Sequence, residues 1–149
     1  PSGNSVALVV LMRFYRMSGD SRWLNYAQKL ISSHAAQASN HPAAFPFFLA
    51  GVDWTAGPVQ EIVLAGEKES PEFKNFWKIL KEQFNPLQVV LHSPDQETEH
   101  RRLEKLSASA ADKKSMNGKP AVYICRDYVC QNPALTVENF KELLGHGKD

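Results

Sequence analysis

Cys125 and Cys130 are the residues of this chain most able to carry chemistry of their own, and four residues separate them. A redox pair of the common kind has two intervening residues and opens a helix, where the dipole stabilises a thiolate. Here the first cysteine closes an apolar run, Ala121 to Cys125, that reads as a strand. Zinc would need further thiolate or imidazole ligands. His92, at the end of a neighbouring predicted strand, is the residue that could supply one. A disulfide across a turn is the third arrangement. The expectation is a pair of separate structural thiols, with the disulfide and the zinc site as alternatives, and no metal or cofactor is assigned.

Other residues point to little further chemistry. The five histidines are His34, His41, His92, His100 and His146, and they form no His-x-x-x-His pair. None stands in a nucleophile motif. His92 is the best placed, because ligands of open α/β sheets gather beyond the carboxyl ends of strands. The loop Gly66-Glu67-Lys68-Glu69-Ser70 has one glycine and two acids. It lacks the bare backbone that cradles phosphate, and its acids would repel one. Arg101-Arg102 and Lys113-Lys114 are short basic pairs interleaved with acids, so no nucleic-acid partner is expected. Asn4 and Ser5 begin an apolar helix. Capping explains them; facing a cleft at the mouth of a helical barrel is the alternative. No catalytic residue is assigned.

The elements that would position these residues fall into two kinds. Helical patterns come first. Asn4 or Ser2 can cap a helix over Val6 to Met17 that is apolar on nearly every face at its start, so other elements must cover it. Gly19 suits the left-handed residue after a helix, and Asp20 suits the next N-cap. Trp23, Ala27, Leu30, Ile31 and His34 then share one side of an amphipathic helix. A strongly apolar third segment runs from Pro42 to Trp54 and ends at Gly57-Pro58. After it, strand and helix signals alternate. Ile62 to Ala65, Leu87 to Leu91 and Ala121 to Cys125 read as buried strands. Helices follow them, capped at Ser70, Ser93 to Asp95, and Thr136. Ser107 to Gly118 is small, polar and charged, and reads as a mobile linker. Gly145 onward is expected to fray. The pattern predicts an α/β fold with a small three-stranded, mostly parallel sheet and flanking helices.

Composition sets the bounds. The chain has 149 residues, 43% hydrophobic and 22% charged, with a formal net charge of +1. That balance is ordinary for a globular chain and offers no field to draw nucleic acid or an anionic membrane. The longest apolar run, Val6 to Met12, is far short of the ~20 residues needed to cross a bilayer. A cytoplasmic location is expected. The chain opens Pro-Ser-Gly-Asn-Ser without a Met, and the expectation is a start inside a longer product.

Three segments, in order, carry a family likeness. They are Pro1-Ser2-Gly3-Asn4-Ser5, Gln60-Glu61-Ile62-Val63-Leu64-Ala65-Gly66, and Ala121-Val122-Tyr123-Ile124-Cys125 running on to Cys130-Gln131-Asn132-Pro133. Together they resemble the carboxy-terminal end of the spermatogenesis-associated protein 20 family, thioredoxin-domain-containing proteins of unknown function. The resemblance implies a parent with an amino-terminal thioredoxin-like domain, an (α/α)6 barrel like those of sugar epimerases and six-hairpin glycosidases, and a small α/β tail. Residues 1–57 would then supply the last helices of the barrel, and residues 58–149 the tail. The family's thioredoxin-like cysteines would lie in the amino-terminal domain, so Cys125 and Cys130 are not equated with them.

Three functions follow as expectations. The first is a non-catalytic structural and interaction segment whose partner is the remainder of the parent chain. The second is one edge of a carbohydrate-active barrel enzyme, with Asn4 and Ser5 at its cleft. The third is a thiol redox or metal-binding module at Cys125 and Cys130. Self-association through uncovered apolar helix faces is also expected.

Overall fold

The computed structural model describes residues 2–126 and 129–145. Ser2 starts the first helix: its hydroxyl accepts from the Ser5 N–H at 3.2 Å, satisfying a donor that a helix start leaves open. Helix α1 (Gly3–Ser18) ends at Gly19, whose φ of 72° is left-handed and whose N–H donates to the Tyr15 carbonyl at 2.8 Å. Asp20 then caps α2 (Ser21–Asn40) by accepting from the Arg22 N–H at 2.9 Å. A 3₁₀ turn over Pro42–Ala44 leads into α3 (Pro46–Ala56). Pro46 sits in its first turn, where the missing N–H has no helical partner to lose.

These helices pack closely because α3 carries a glycine at the crossing. A Cβ on Gly51 would stand 2.9 Å from Leu8 Cδ2. Leu8, Met12, Ala27, Phe48 and Trp54 form one buried cluster, and Val59 and Val89 from the strand segments join it. The helical layer therefore covers one face of the sheet, as the order of the segments suggests.

The strands are β1 (Gln60–Ala65), β2 (Gln88–Ser93), β3 (Ala121–Arg126) and β4 (Val129–Cys130). Among the described residues they form a four-stranded sheet in the order β2-β1-β3-β4. Helix α4 (Pro71–Glu82) links β1 to β2, and these two are parallel, Gln60 beside Gln88 and Ala65 beside Ser93. β3 runs antiparallel to β1, with Ala121 beside Ala65 and Arg126 beside Gln60. The expected three-stranded, mostly parallel sheet is thus corrected to a mixed one with four strands.

The reason lies in α5 (Glu97–Leu106). Its only buried residue is His100, so it has no apolar stripe to lay across the sheet as a crossover helix must. The chain instead stays at the carboxyl end of β1 and β2. Gly66, at φ 123°, meets Pro120 there; an added Cβ would lie 3.0 Å from the Pro120 Cα. β3 consequently enters beside Ala65 and runs back.

Residues 107–118, expected to be a mobile linker, are packed instead. Ser107, Ser109 and Ala110 are buried. The Ser93 hydroxyl donates to the Lys113 carbonyl at 2.6 Å, and the Tyr123 hydroxyl to the Lys114 carbonyl at 2.7 Å. Met116 and Lys119 exchange backbone hydrogen bonds at 2.9 Å. Small polar side chains here allow close approach of the backbone.

The second face of the sheet is covered by α4 and α6 (Val137–Gly145). Ser70 caps α4 and Thr136 caps α6, each through its side-chain oxygen. Ile62, Leu64, Val122 and Ile124 pack against Phe73, Phe76, Leu80, Phe140 and Leu144. The Phe76 and Phe140 rings meet edge to face at 5.6 Å. No helix among the described residues is long and apolar enough to cross a membrane.

Candidate functional site

Side chains alternate across a strand, so Ile62 and Leu64 point to α4 and α6 while Glu61 points to the helical layer. Glu61 sits in the central strand and is 0% exposed. Helix α1 brings Arg16 to it, with Nη1 3.5 Å from Oε1, and Arg16 is itself only 8% exposed. A carboxylate and a guanidinium in so dry a place require each other, since either alone would carry a large desolvation penalty. The Ser109 hydroxyl donates to the Arg16 carbonyl at 3.2 Å and ties residues 107–118 to the same spot. This pair escapes the sequence reading. Its signals are an acid at the head of an apolar strand and an arginine at the end of an apolar helix.

Cys125 stands directly across the β1–β3 ladder from Glu61, so both project from the same face. Its own partner across the β3–β4 ladder is Cys130. The two sulfurs are bonded, and their Cα atoms are 3.9 Å apart. This overturns the expectation of two separate thiols and realises the disulfide alternative. Antiparallel register is the cause: β4 folds back and sets the two residues side by side, which the sequence spacing alone does not require. Cys125 is 1% exposed, whereas Cys130 is exposed. Both line a hollow of about 290 Å³ with Ala108, Ser109, Asp112 and Lys113.

The zinc alternative fails on placement. His92 lies beside Leu64 on β2, two strands from Cys125 and toward the other end of the sheet. Neighbouring strands are about 4.8 Å apart, so His92 is well beyond ligand reach of either sulfur. Its Nε2 bonds the Gly66 carbonyl at 2.8 Å, and its ring packs on Phe73 at 5.2 Å. Among the described residues no group of three His, Cys, Asp or Glu side chains could hold a metal ion.

A second polar cluster holds the carboxyl end of β2. The Ser93 hydroxyl spends its one hydrogen on Lys113, so its oxygen accepts from His100 Nδ1 at 2.8 Å. His100 Nε2 then approaches Glu104 Oε1 at 3.0 Å, off the hydrogen-bonding axis. Serine, histidine and glutamate in a row suggest a nucleophile relay. Ser93 is 0% exposed and its hydrogen is engaged, so no substrate carbonyl can reach it. The cluster pins α5 and the following segment. The Tyr123 hydroxyl beside it is held above the usual tyrosine range by burial, offset in part by its bond to Lys114.

The remaining candidates are dispersed. Asn4 is exposed, with Nδ2 3.1 Å from His34 Nε2. Ser5 is buried, and its hydroxyl shares a hydrogen bond of 2.8 Å with Ser2. His41 follows α2 on the surface, and His146 lies outside the described residues. A groove of about 720 Å³ runs along the helical layer, lined by Tyr15, Arg16, Gln28, Trp54 and Thr55 among others.

Two curated proteins are similar over nearly the whole chain. An uncharacterized protein of Caenorhabditis elegans is 26% identical over 146 residues, which is 96% of this chain and 19% of that protein. Human spermatogenesis-associated protein 20 is 20% identical over 146 residues, 97% of this chain and 18% of that protein. The chain spans about a fifth of the length of the curated relatives it matches. No family model and no solved structure matches it.

Proposed function

We propose that this chain is a structural and interaction segment that closes a larger helical protein, with the remainder of that longer chain as its partner. One observation carries the reading. Val6, Val10 and Phe14 recur every fourth residue on α1 and are 43%, 42% and 45% exposed. Such a row is the signature of a helix that expects a neighbour. The length of the relatives supplies the candidate neighbour, since about four-fifths of each lies outside the matched region. On this reading the chain is a distant relative of spermatogenesis-associated protein 20. Helices α1 to α3 end a helical barrel, residues 58–149 form the domain that follows it, and the protein is cytoplasmic.

The test is to produce the chain and the remainder of the longer protein separately and mix them. Light scattering on a sizing column should give a complex, and Val10→Asp should weaken it. Failure to associate, together with no gain in thermal stability on mixing, overturns the reading. Self-association of this chain alone, unchanged by the other part, counts against it too.

A second reading makes the longer protein carbohydrate-active. It is favoured by the groove of α1 to α3, whose lining brings the polar side chains of Gln28, Ser32 and Thr55 beside Tyr15. Titration of the full-length protein with a panel of sugars tests it, and absence of binding across the panel removes it.

A further inference from the structure

We propose that Cys125–Cys130 is a thiol–disulfide exchange site for low-molecular-weight thiols and disulfides, with Cys130 as the sulfur that reacts first. Three observations converge on it. Cys130 is exposed while Cys125 is 1% exposed, so an incoming group meets Cys130 first. The hollow in front of the pair, about 290 Å³, is the size of a small molecule rather than a protein loop, and Lys113 on its wall offers a cation to an acidic thiol. Asp112 shares that wall and opposes such a charge.

The third observation concerns what remains when the bond opens. The two cysteines are only five apart in sequence, so the bond closes a very short loop and constrains the unfolded chain little. The register does not depend on it. Gln131 N–H donates to the Ile124 carbonyl at 3.0 Å, and Val122 and Ala134 exchange backbone bonds of 2.9 and 2.8 Å. These bonds keep the cysteines opposite each other in the reduced form. The pair is preorganised to close again, which a purely structural bond does not need.

The chemistry balances without further groups. In the oxidising direction the Cys130 thiolate attacks a small disulfide, forming a mixed disulfide and releasing one thiolate. Cys125 gives up its thiol proton through the hollow and attacks the Cys130 sulfur. The internal bond forms, and the second small thiolate leaves. Two electrons pass from the protein dithiol to the small disulfide. Reduction is the reverse, with thiolate attack on Cys130 and Cys125 as the leaving group.

The experiment uses the full chain with Cys125→Ser and Cys130→Ser variants and glutathione disulfide as the probe. Mass spectrometry should find C125S glutathionylated at Cys130 at least about tenfold faster than C130S at Cys125, because access sets the rate. Equal rates, or a faster C130S, overturn the assignment. The unmodified chain supplies a measurement independent of either variant's folding. Dithiothreitol should reduce it with no loss of near-ultraviolet circular dichroism, and acid quenching during glutathione exchange should trap the adduct on Cys130. Reduction that occurs only in step with unfolding overturns the proposal.

Discussion

The two faces of the sheet are built from alternate residues of the same strands and differ in how much polar chemistry they bury. Toward α4 and α6, Ile62, Leu64, Val122 and Ile124 join Phe73, Phe76, Phe140 and Leu144 in one apolar cluster. Toward α1 and residues 107–118, the intervening positions include Glu61, Tyr123 and Cys125. The first face holds the fold together by burial that is indifferent to direction. The second depends on particular partners delivered from distant parts of the chain: Arg16 for Glu61, the Lys114 carbonyl for Tyr123, Cys130 for Cys125. An apolar face tolerates imprecision, whereas a buried polar one specifies which segments must meet.

Substitution on the apolar face should produce the largest loss. Phe140→Ala empties a fully buried site against Phe76 and should cost about 4 kcal/mol. Thermal unfolding should register that as a fall on the order of 10 °C. Glu61→Gln tests the polar face by leaving the Arg16 cation without its counter-charge, and should cost about 3 kcal/mol in urea denaturation. The paired change of Glu61→Leu with Arg16→Met should recover most of that loss. If the double variant is no better than the single, the pair does not define this face. Ser93→Ala removes the links to His100 and Lys113 and should cost about 1–2 kcal/mol. Its clearer sign should be faster amide exchange confined to residues 107–118.

The smallest effect belongs to the surface, away from both faces. Hydrogen bonding to the Arg22 side chain holds the Asp20 carboxyl below the ordinary aspartate value of 3.8. A depressed folded-state value stabilises above the ordinary value and is lost as pH falls through the folded one. Asp20→Ala should therefore flatten the acid limb of the stability profile slightly, with no change in shape at neutral pH. Asp20 is partly exposed and screened by solvent, so a large change there would show the cap to matter more than either face.

Most helix starts and stops were readable in the chain, although α5 begins after Gln96 without a side-chain cap and not at Ser93 to Asp95. Asp20, Gly19, Ser70 and Thr136 each act where their local chemistry places them, because a cap is a contact within a few residues. The apolar stripes of α4 and α6 were readable for the same reason. Residues 107–118 misled, because small polar residues signal both exposed loops and segments packed backbone-close. The cysteines misled in another way: spacing bounds whether two sulfurs can meet, but a short antiparallel β4 is what makes them meet. Two-residue strands leave no periodic trace.

What the chain by itself determined was the set of longer elements and the side most of them would bury, since period and capping are local properties of consecutive residues. The tertiary structure decided the direction of β3, the bond between Cys125 and Cys130, and the meeting of Arg16 with Glu61. Each of these depends on where a distant segment comes to rest. For β3 that place was set by α5, a helix with too little apolar surface to cross the sheet.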